Sequence, residues 1–251
     1  AAATAIQRTF RRRLGGKFRR WSTIKQADRT YRFARTVSSN QAADYLTLGT
    51  DALGVYKYFN GPNNATNMQV SFSLQQMVVY LGGTAQITSL VPDYGEFTSL
   101  FDQWCIEKVE LSIIPTFTNQ GGMNNRDIDL QNHVYAIDND DAGVATASQL
   151  QQYANCKYTQ LVEILKNGKP RPLAVFKPRP AIAMYQTGAT FAYGAFDMTN
   201  KPVWVDVAYP TVPHYSFKMA MDNNGGTATP NLTSGYLNVM AKIHYAFRTV
   251  R

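Results

Sequence analysis

The sequence predicts an all-β protein: a single eight-stranded antiparallel jelly-roll sandwich preceded by a basic N-terminal arm. Three observations carry that reading. From residue 68 onward apolar and polar residues alternate with a period of two, the spacing that lets a strand bury one face and wet the other. The breaks between these stretches are rich in Gly and Asn, and no strand–helix–strand rhythm connects them. Basic charge in excess of acidic is confined to the beginning of the chain.

Eight stretches qualify as strands. Val70, Phe72 and Leu74 alternate with Ser71, Ser73 and Gln75, and Val109, Leu111 and Ile113 alternate with Lys108, Glu110 and Ser112. Val203, Val205 and Val207 share one parity, as do Phe217, Met219 and Met221. The clearest run is the last, where Leu237, Val239, Ala241, Ile243, Tyr245 and Phe247 oppose Asn238, Met240, Lys242, His244, Ala246 and Arg248. Shorter candidates cover 133–138, 158–164 and 172–177. Turn signals fall at Gly82-Gly83, 119–122, Asn167-Gly168 and 223–226. Two short helices are expected near 94–103 and 147–154, neither long enough to cover a sheet. The intervening segments 37–67, 82–93, 119–132, 181–201 and 223–235 read as surface loops.

The chain has 251 residues, 45% of them hydrophobic and only 17% charged, which describes one folded domain with a sizeable core. The net charge of +8 is unevenly divided. Residues 1–36 hold eleven Lys/Arg and one acid, a net of +10, whereas residues 37–251 hold 14 bases and 16 acids, a net of −2. The chain therefore divides into an Arg-rich arm, 1–36, and a nearly neutral jelly-roll domain, 37–251. A terminal charge block of this kind is an interaction arm for a polyanion.

The candidate nucleic-acid-binding residues are Arg8, Arg11, Arg12, Arg13, Lys17, Arg19, Arg20, Trp21, Lys25 and Arg29. Nine of the eleven bases before residue 37 are Arg, against five Arg and nine Lys after it. Guanidinium makes forked hydrogen bonds to phosphate and sheds water more readily than ammonium. Phe10, Phe18, Trp21, Tyr31 and Phe33 interleave with these bases. Their rings either stack on unpaired bases or dock the arm against the domain, and Gly15-Gly16 interrupts any continuous helix. An arm separate from the domain predicts that deleting residues 1–36 leaves the β domain folded.

Nothing in the sequence has the pattern of a catalytic site. It contains no phosphate-binding loop, dinucleotide fingerprint, nucleophile elbow or HExxH helix. His133, His214 and His244 lack a metal-like partner at close spacing, Cys105 reads as a core thiol, and Glu107 and Glu110 fall on opposite faces of their strand. Asp138-Asn139-Asp140-Asp141 is the densest acidic spot and reads as a solvated turn rather than a calcium site. No enzyme activity, cofactor or metal is expected. The only concentrated basic stretch outside the arm is Lys166, Lys169, Arg171, Lys177 and Arg179, interleaved with prolines. It reads either as a shell interior or subunit seam, or as an edge strand guarded by charge and proline.

Several of these residues resemble a known family. The stretch from Phe101 to Pro115 (FDQWCIEKVELSIIP), Leu173 to Pro180 (LAVFKPRP), Val203-Trp204-Val205 and Tyr236 to Val250 occur in the order in which similar segments occur in capsid proteins of circoviruses and related small circular single-stranded DNA viruses. The sequence departs from that pattern in its shorter arginine runs and in the long segment 38–67. The resemblance implies a self-assembling homo-oligomer: sixty copies in the smallest (T=1) icosahedral shell around a circular single-stranded DNA genome. Its arm would hold DNA without sequence preference and engage host nuclear-import machinery. The implied locations are the virion and, during assembly, the host nucleus, with an unknown host cell receptor outside. A reading from another class is a lectin-like jelly-roll binding module whose basic tail localises it. A third, an arm acting on membranes, lacks a sustained apolar stripe.

Overall fold

A computed structural model describes residues 29–40, 46–82, 85–117, 132–139, 143–160, 172–187, 190–195, 203–222 and 233–250. The chain runs through β1 (Tyr31–Ser38), β2 (Leu46–Thr50), β3 (Tyr56–Asn60), β4 (Asn63–Ala65), β5 (Asn67–Phe72), β6 (Gln76–Leu81) and β7 (Ala85–Leu90). Helix α1 (Tyr94–Leu100) leads into the long β8 (Phe101–Phe117) and then β9 (Asn132–Ile137). After helix α2 (Ala147–Leu150) come β10 (Lys157–Gln160), β11 (Ala174–Phe176), β12 (Arg179–Thr187), β13 (Thr190–Ala195), β14 (Val205–Asp206), β15 (His214–Met221) and β16 (Thr233–Val250).

These strands form two antiparallel sheets. One has the order β11-β8-β16-β2-β3-β4, with β1 also on β16 and β14 also on β8. The other has the order β10-β9-β15-β5-β6-β7, with β12 on β15 and β13 on β12. Strands β1 and β2 occupy the same side of β16, at 240–247 and 233–237, and act as one interrupted strand. Counted so, the principal strands in chain order are β1/β2, β5, β8, β9, β10, β11, β15 and β16. The first sheet then takes the first, eighth, third and sixth, and the second takes the second, seventh, fourth and fifth. That interleaving is the jelly roll, two Greek keys closed into a sandwich.

The alternation read from the sequence is what fills the space between the sheets. Leu237, Val239, Ala241, Ile243, Tyr245 and Phe247 of β16 are all buried, facing Phe72, Met77, Phe217 and Met219 of the other sheet in one continuous core. Phe176 of β11 reaches across to Phe72 and Phe217, with ring centroids 6.1 and 6.5 Å apart. The two sheets differ on their outer sides. Every residue of β15 is buried, because Ala145 and Leu150 at α2 pack on Val134, Ala136 and Ala220 behind the second sheet. The outer face of the first sheet is polar and open, with Lys242 exposed and His244 half-buried.

Seven of the eight predicted strands coincide with principal strands. The candidate at 203–207 reduces to the two-residue β14, paired with Gln103-Trp104. The true first strand, β1, lies in the segment expected to be arm: residues 31–36 are sheet, and the register runs unbroken from Tyr31↔Phe247 to Ser38↔Met240. Segment 37–67, expected to be loop, contains β2, β3 and β4, segment 82–93 contains β7, and segment 181–201 contains β12 and β13. At the β6–β7 turn Gly82 has φ of 43°, and a Cβ there would meet Ala65 Cβ at 2.6 Å, so this predicted turn glycine is required twice over.

One expectation about faces is corrected. A bulge shifts the β8–β16 register between His244 and Tyr245, so that Lys108 opposes His244 while Ile106 opposes Tyr245. The extra residue, Glu107, joins Lys108 on the outer face. Glu107 and Glu110 therefore share a face, where Glu107 takes Arg32 and Glu110 takes Lys108 and His244.

Behind the second sheet, Lys218 Nζ lies 2.7 Å from Asp138 Oδ2, both side chains almost completely buried, and Tyr153 donates its hydroxyl to the same oxygen at 2.5 Å. Breaking such a pair leaves an uncompensated charge, so Lys218→Met is expected to cost about 3–5 kcal/mol in denaturant unfolding. The double change Lys218→Met with Asp138→Leu should recover most of that loss.

Between the sheets His214 packs on Trp104 at 5.1 Å, and its Nδ1 lies 3.1 Å from Val212 O. Burial lowers its pKa to about 4, against the partly opposing carbonyls of Val212 and Phe72. The unfolded chain binds this proton near pH 6.5, well before the folded chain does. The histidine's contribution is therefore intact above pH 6.5 and lost as pH falls toward 4, about 3 kcal/mol in all. Denaturant titrations across that window should show a shallower decline for His214→Gln than for the wild type.

Candidate nucleic-acid interface

Of the predicted DNA-binding residues, Arg8, Arg11, Arg12, Arg13, Lys17, Arg19, Arg20, Trp21 and Lys25 lie outside the described residues. Arg29 is described. It is exposed, immediately before β1, and no ion pair to it forms among the described residues. The strand that follows anchors the arm by alternation. Tyr31, Phe33 and Val37 turn inward and Arg32, Ala34 and Thr36 turn outward. Phe33 sits 5.3 Å from Phe97 of α1 and 5.9 Å from Phe247 of β16, and Tyr31 sits 5.5 Å from Phe101. Of the two roles open to the arm's aromatics, these two rings take docking.

The last two arginines of the basic segment are held by the domain. Arg32 Nε lies 3.0 Å from both Glu107 carboxylate oxygens. Arg35 Nη2 lies 3.2 Å from Asp93 Oδ2, with its guanidinium 4.8 Å from the Phe97 ring centre. Both charges are answered by acids; residues 1–29 hold the other nine bases of the segment and Asp28, a net of +8.

The arm enters beside the last turn of chain in β16, since Tyr31 opposes Phe247. Arg248 there lies over the Trp204 ring at 4.4 Å and donates to Gln103. The outer face running from this point carries Lys242 and Lys108, with His244 Nε2 3.1 Å from Glu110 Oε1. Sequence reasoning had these residues on the wet parity of their strands but did not group them with the basic segment. The signal available was their common parity with Arg32, which became legible only once β1 was known to join the sheet.

Burial, with Glu107 adding to it, pushes the Cys105 thiol up to about 12, so it remains protonated in the core. Asp138 is engaged by Lys218 and Tyr153, while Asp140 and Asp141 lie outside the described residues. Among the described residues no three His, Cys, Asp or Glu side chains gather as a metal site, and no helix is long and apolar enough to cross a membrane.

The family model for the circovirus capsid protein matches residues 5–251, almost the whole chain. The chain belongs to that family. This capsid protein is thus a structural component of a virion. No curated protein is similar enough to it to count as a match. Among solved structures it is similar to the 60-mer of the BFDV capsid protein, at 14% identity and TM-score 0.47, covering 89% of this chain and 95% of that one. It is also similar to the decameric BFDV capsid protein, at 15% identity and TM-score 0.41, covering 88% and 100%. A third likeness is to Cocksfoot mottle virus, at 10% identity and TM-score 0.39, covering 89% and 97%.

Proposed function

We propose that this capsid protein closes into a sixty-subunit T=1 shell and packages circular single-stranded DNA through its Arg-rich arm. The observation that carries the reading is the charge partition: a +8 segment ahead of the sheet, joined to a domain whose neighbouring arginines are already neutralised. Phosphates carry no base identity, so binding through that segment is sequence-tolerant. Sixty arms supply about 480 positive charges, each able to release a counterion from the genome. The same basic clusters would serve as a nuclear-import signal, placing assembly in the host nucleus, and the outer loops would meet a host receptor.

Negative-stain electron microscopy with sedimentation of the purified chain tests the assembly. Sixty copies of 28.1 kDa make about 1.7 MDa of protein, and closed shells of uniform size near that mass are expected. A chain that remains a small oligomer would favour a lectin-like module instead.

A further inference from the structure

Two large apolar side chains stand exposed at the end of the first sheet where β1 begins. Across that end Tyr31 opposes Phe247, Phe247 opposes Trp104, and Trp104 opposes Val205 of β14. The next row outward is Arg248, Gln103 and Asp206. Val207 N donates to Asp102 O at 2.9 Å. Two residues beyond that bond on either chain come Leu100 and Tyr209, exposed at 52% and 64%. Leu100 adjoins Phe101, whose ring lies 5.5 Å from Tyr31, so this surface starts where the arm leaves the sheet.

Strand β1 already grips this end of the domain by rings and by charge. Tyr31 and Phe33 dock on Phe101 and Phe97, while Arg32 and Arg35 take Glu107 and Asp93. The segments 93–107 and 203–213 also carry Glu96, Asp102 and Asp206, and no Lys or Arg. Glu96 and Asp206 are exposed and form no ion pair among the described residues. The described chain starts at Arg29, and residues 17–29 repeat the composition of the β1 contact. They hold Lys17, Arg19, Arg20, Lys25 and Arg29 with Phe18 and Trp21, against Asp28 alone. Asp206 lies three strands from β1, about 14 Å across the sheet. Lys25, four residues ahead of Arg29, can reach about that far in extended chain.

We propose that the arm, when no nucleic acid holds it, docks through residues 17–29 on this end of its own domain, and that DNA displaces it. The docking continues the contact made by β1: rings of the arm cover Leu100 and Tyr209, and its bases meet carboxylates that no base of the domain answers. The domain thus competes with the genome for the arm. A genome offers a phosphate at every nucleotide and outcompetes a few carboxylates, whereas a short stray oligonucleotide does so less well. With docked and free arms at about two to one, the apparent affinity for DNA falls about threefold. The same docking adds about 0.6 kcal/mol to the folded state, too little for denaturant unfolding to resolve.

The docking rests on the reading of the arm as the DNA-binding segment, and two measurements separate them. A carbodiimide joins a lysine amine to a carboxylate in contact with it as an amide, the reagent taking up the water. In the full chain it should link Lys17 or Lys25 to Glu96, Asp102 or Asp206, mapped by peptide mass spectrometry, and saturation with single-stranded DNA should abolish the link. In a mixture of isotopically labelled and unlabelled chains the linked peptides should share one label; pairs of mixed label would overturn docking on the chain's own domain. Glu96→Gln with Asp206→Asn should raise the full chain's affinity for single-stranded DNA about threefold at about 0.1 M salt. Both residues are exposed, and unchanged circular dichroism would show that the variant folds. The same double change should not alter the residual affinity of the chain lacking residues 1–28. An equal rise in both chains would be bulk charge alone and would overturn the docking, as would an absent link or one that survives DNA. Equal DNA affinity with and without residues 1–28 would overturn the packaging role of the arm and the competition with it.

Discussion

Changing Arg11, Arg12, Arg13, Arg19 and Arg20 together to Gln is expected to lower affinity for single-stranded DNA on the order of a thousandfold at about 0.1 M salt. Each phosphate contact with a single strand contributes about 0.7 to the slope of log affinity against log salt. Removing five contacts should therefore flatten that slope by about 3.5. The loss should be alike for unrelated oligonucleotides, because the contacts are to phosphate and carry no base information. Fluorescence anisotropy over a salt series checks both numbers. Loss confined to one sequence would mean base reading, which an arm of this composition does not supply.

A larger structural effect is expected from the place where the arm is cut. Deleting residues 1–28 should leave thermal and denaturant stability unchanged, since Arg29 precedes the first paired residue. Deleting residues 1–36 removes six of the eight paired positions of β1 and, with them, Tyr31 and Phe33. Truncating a fully buried Phe to Ala costs about 3–5 kcal/mol; here two partly buried rings are lost together, and the lost ladder exposes β16 and α1 as well. The total approaches the whole stability of an ordinary domain, about 5–15 kcal/mol. Chemical denaturation of the two truncated chains checks this: the shorter cut should melt as the wild type does, and the longer one should be unfolded or nearly so.

The difference between the two cuts shows where the sequence was readable. Strands with one wet face, such as β16 and β8, announce themselves by alternation; β15 was also found by its alternation, although the packing of α2 behind it leaves it no wet face. Strand β1 also alternates, but its wet positions include Arg32 and one of its inward positions is Arg35. Charge dominated the reading of that segment, and the acids that neutralise it, Glu107 and Asp93, are far away in sequence. Strands β2 and β4 were missed because Thr, Gly and Asn make up most of their residues, types that signal turns locally and pair only because a neighbouring strand offers a ladder. The bulge at Glu107 is a two-strand property and leaves no mark on one strand read alone.

The candidate site was legible in its charge and not in its limits. Composition located the basic block, and the alternation of Tyr31, Phe33 and Val37 with Arg32 fixes where it stops being an arm. The outer-face residues Lys108, Lys242 and His244 needed the sheet order before they could be grouped with it.

The phosphate content of nuclease-treated, purified particles tests the packaging role most directly, comparing the full chain with the chain lacking residues 1–28. Particles of the full chain should retain on the order of eight phosphates per subunit, matching the arm's net charge, while particles of the truncated chain retain almost none. Equal phosphate in the two would contradict an arm that holds the genome.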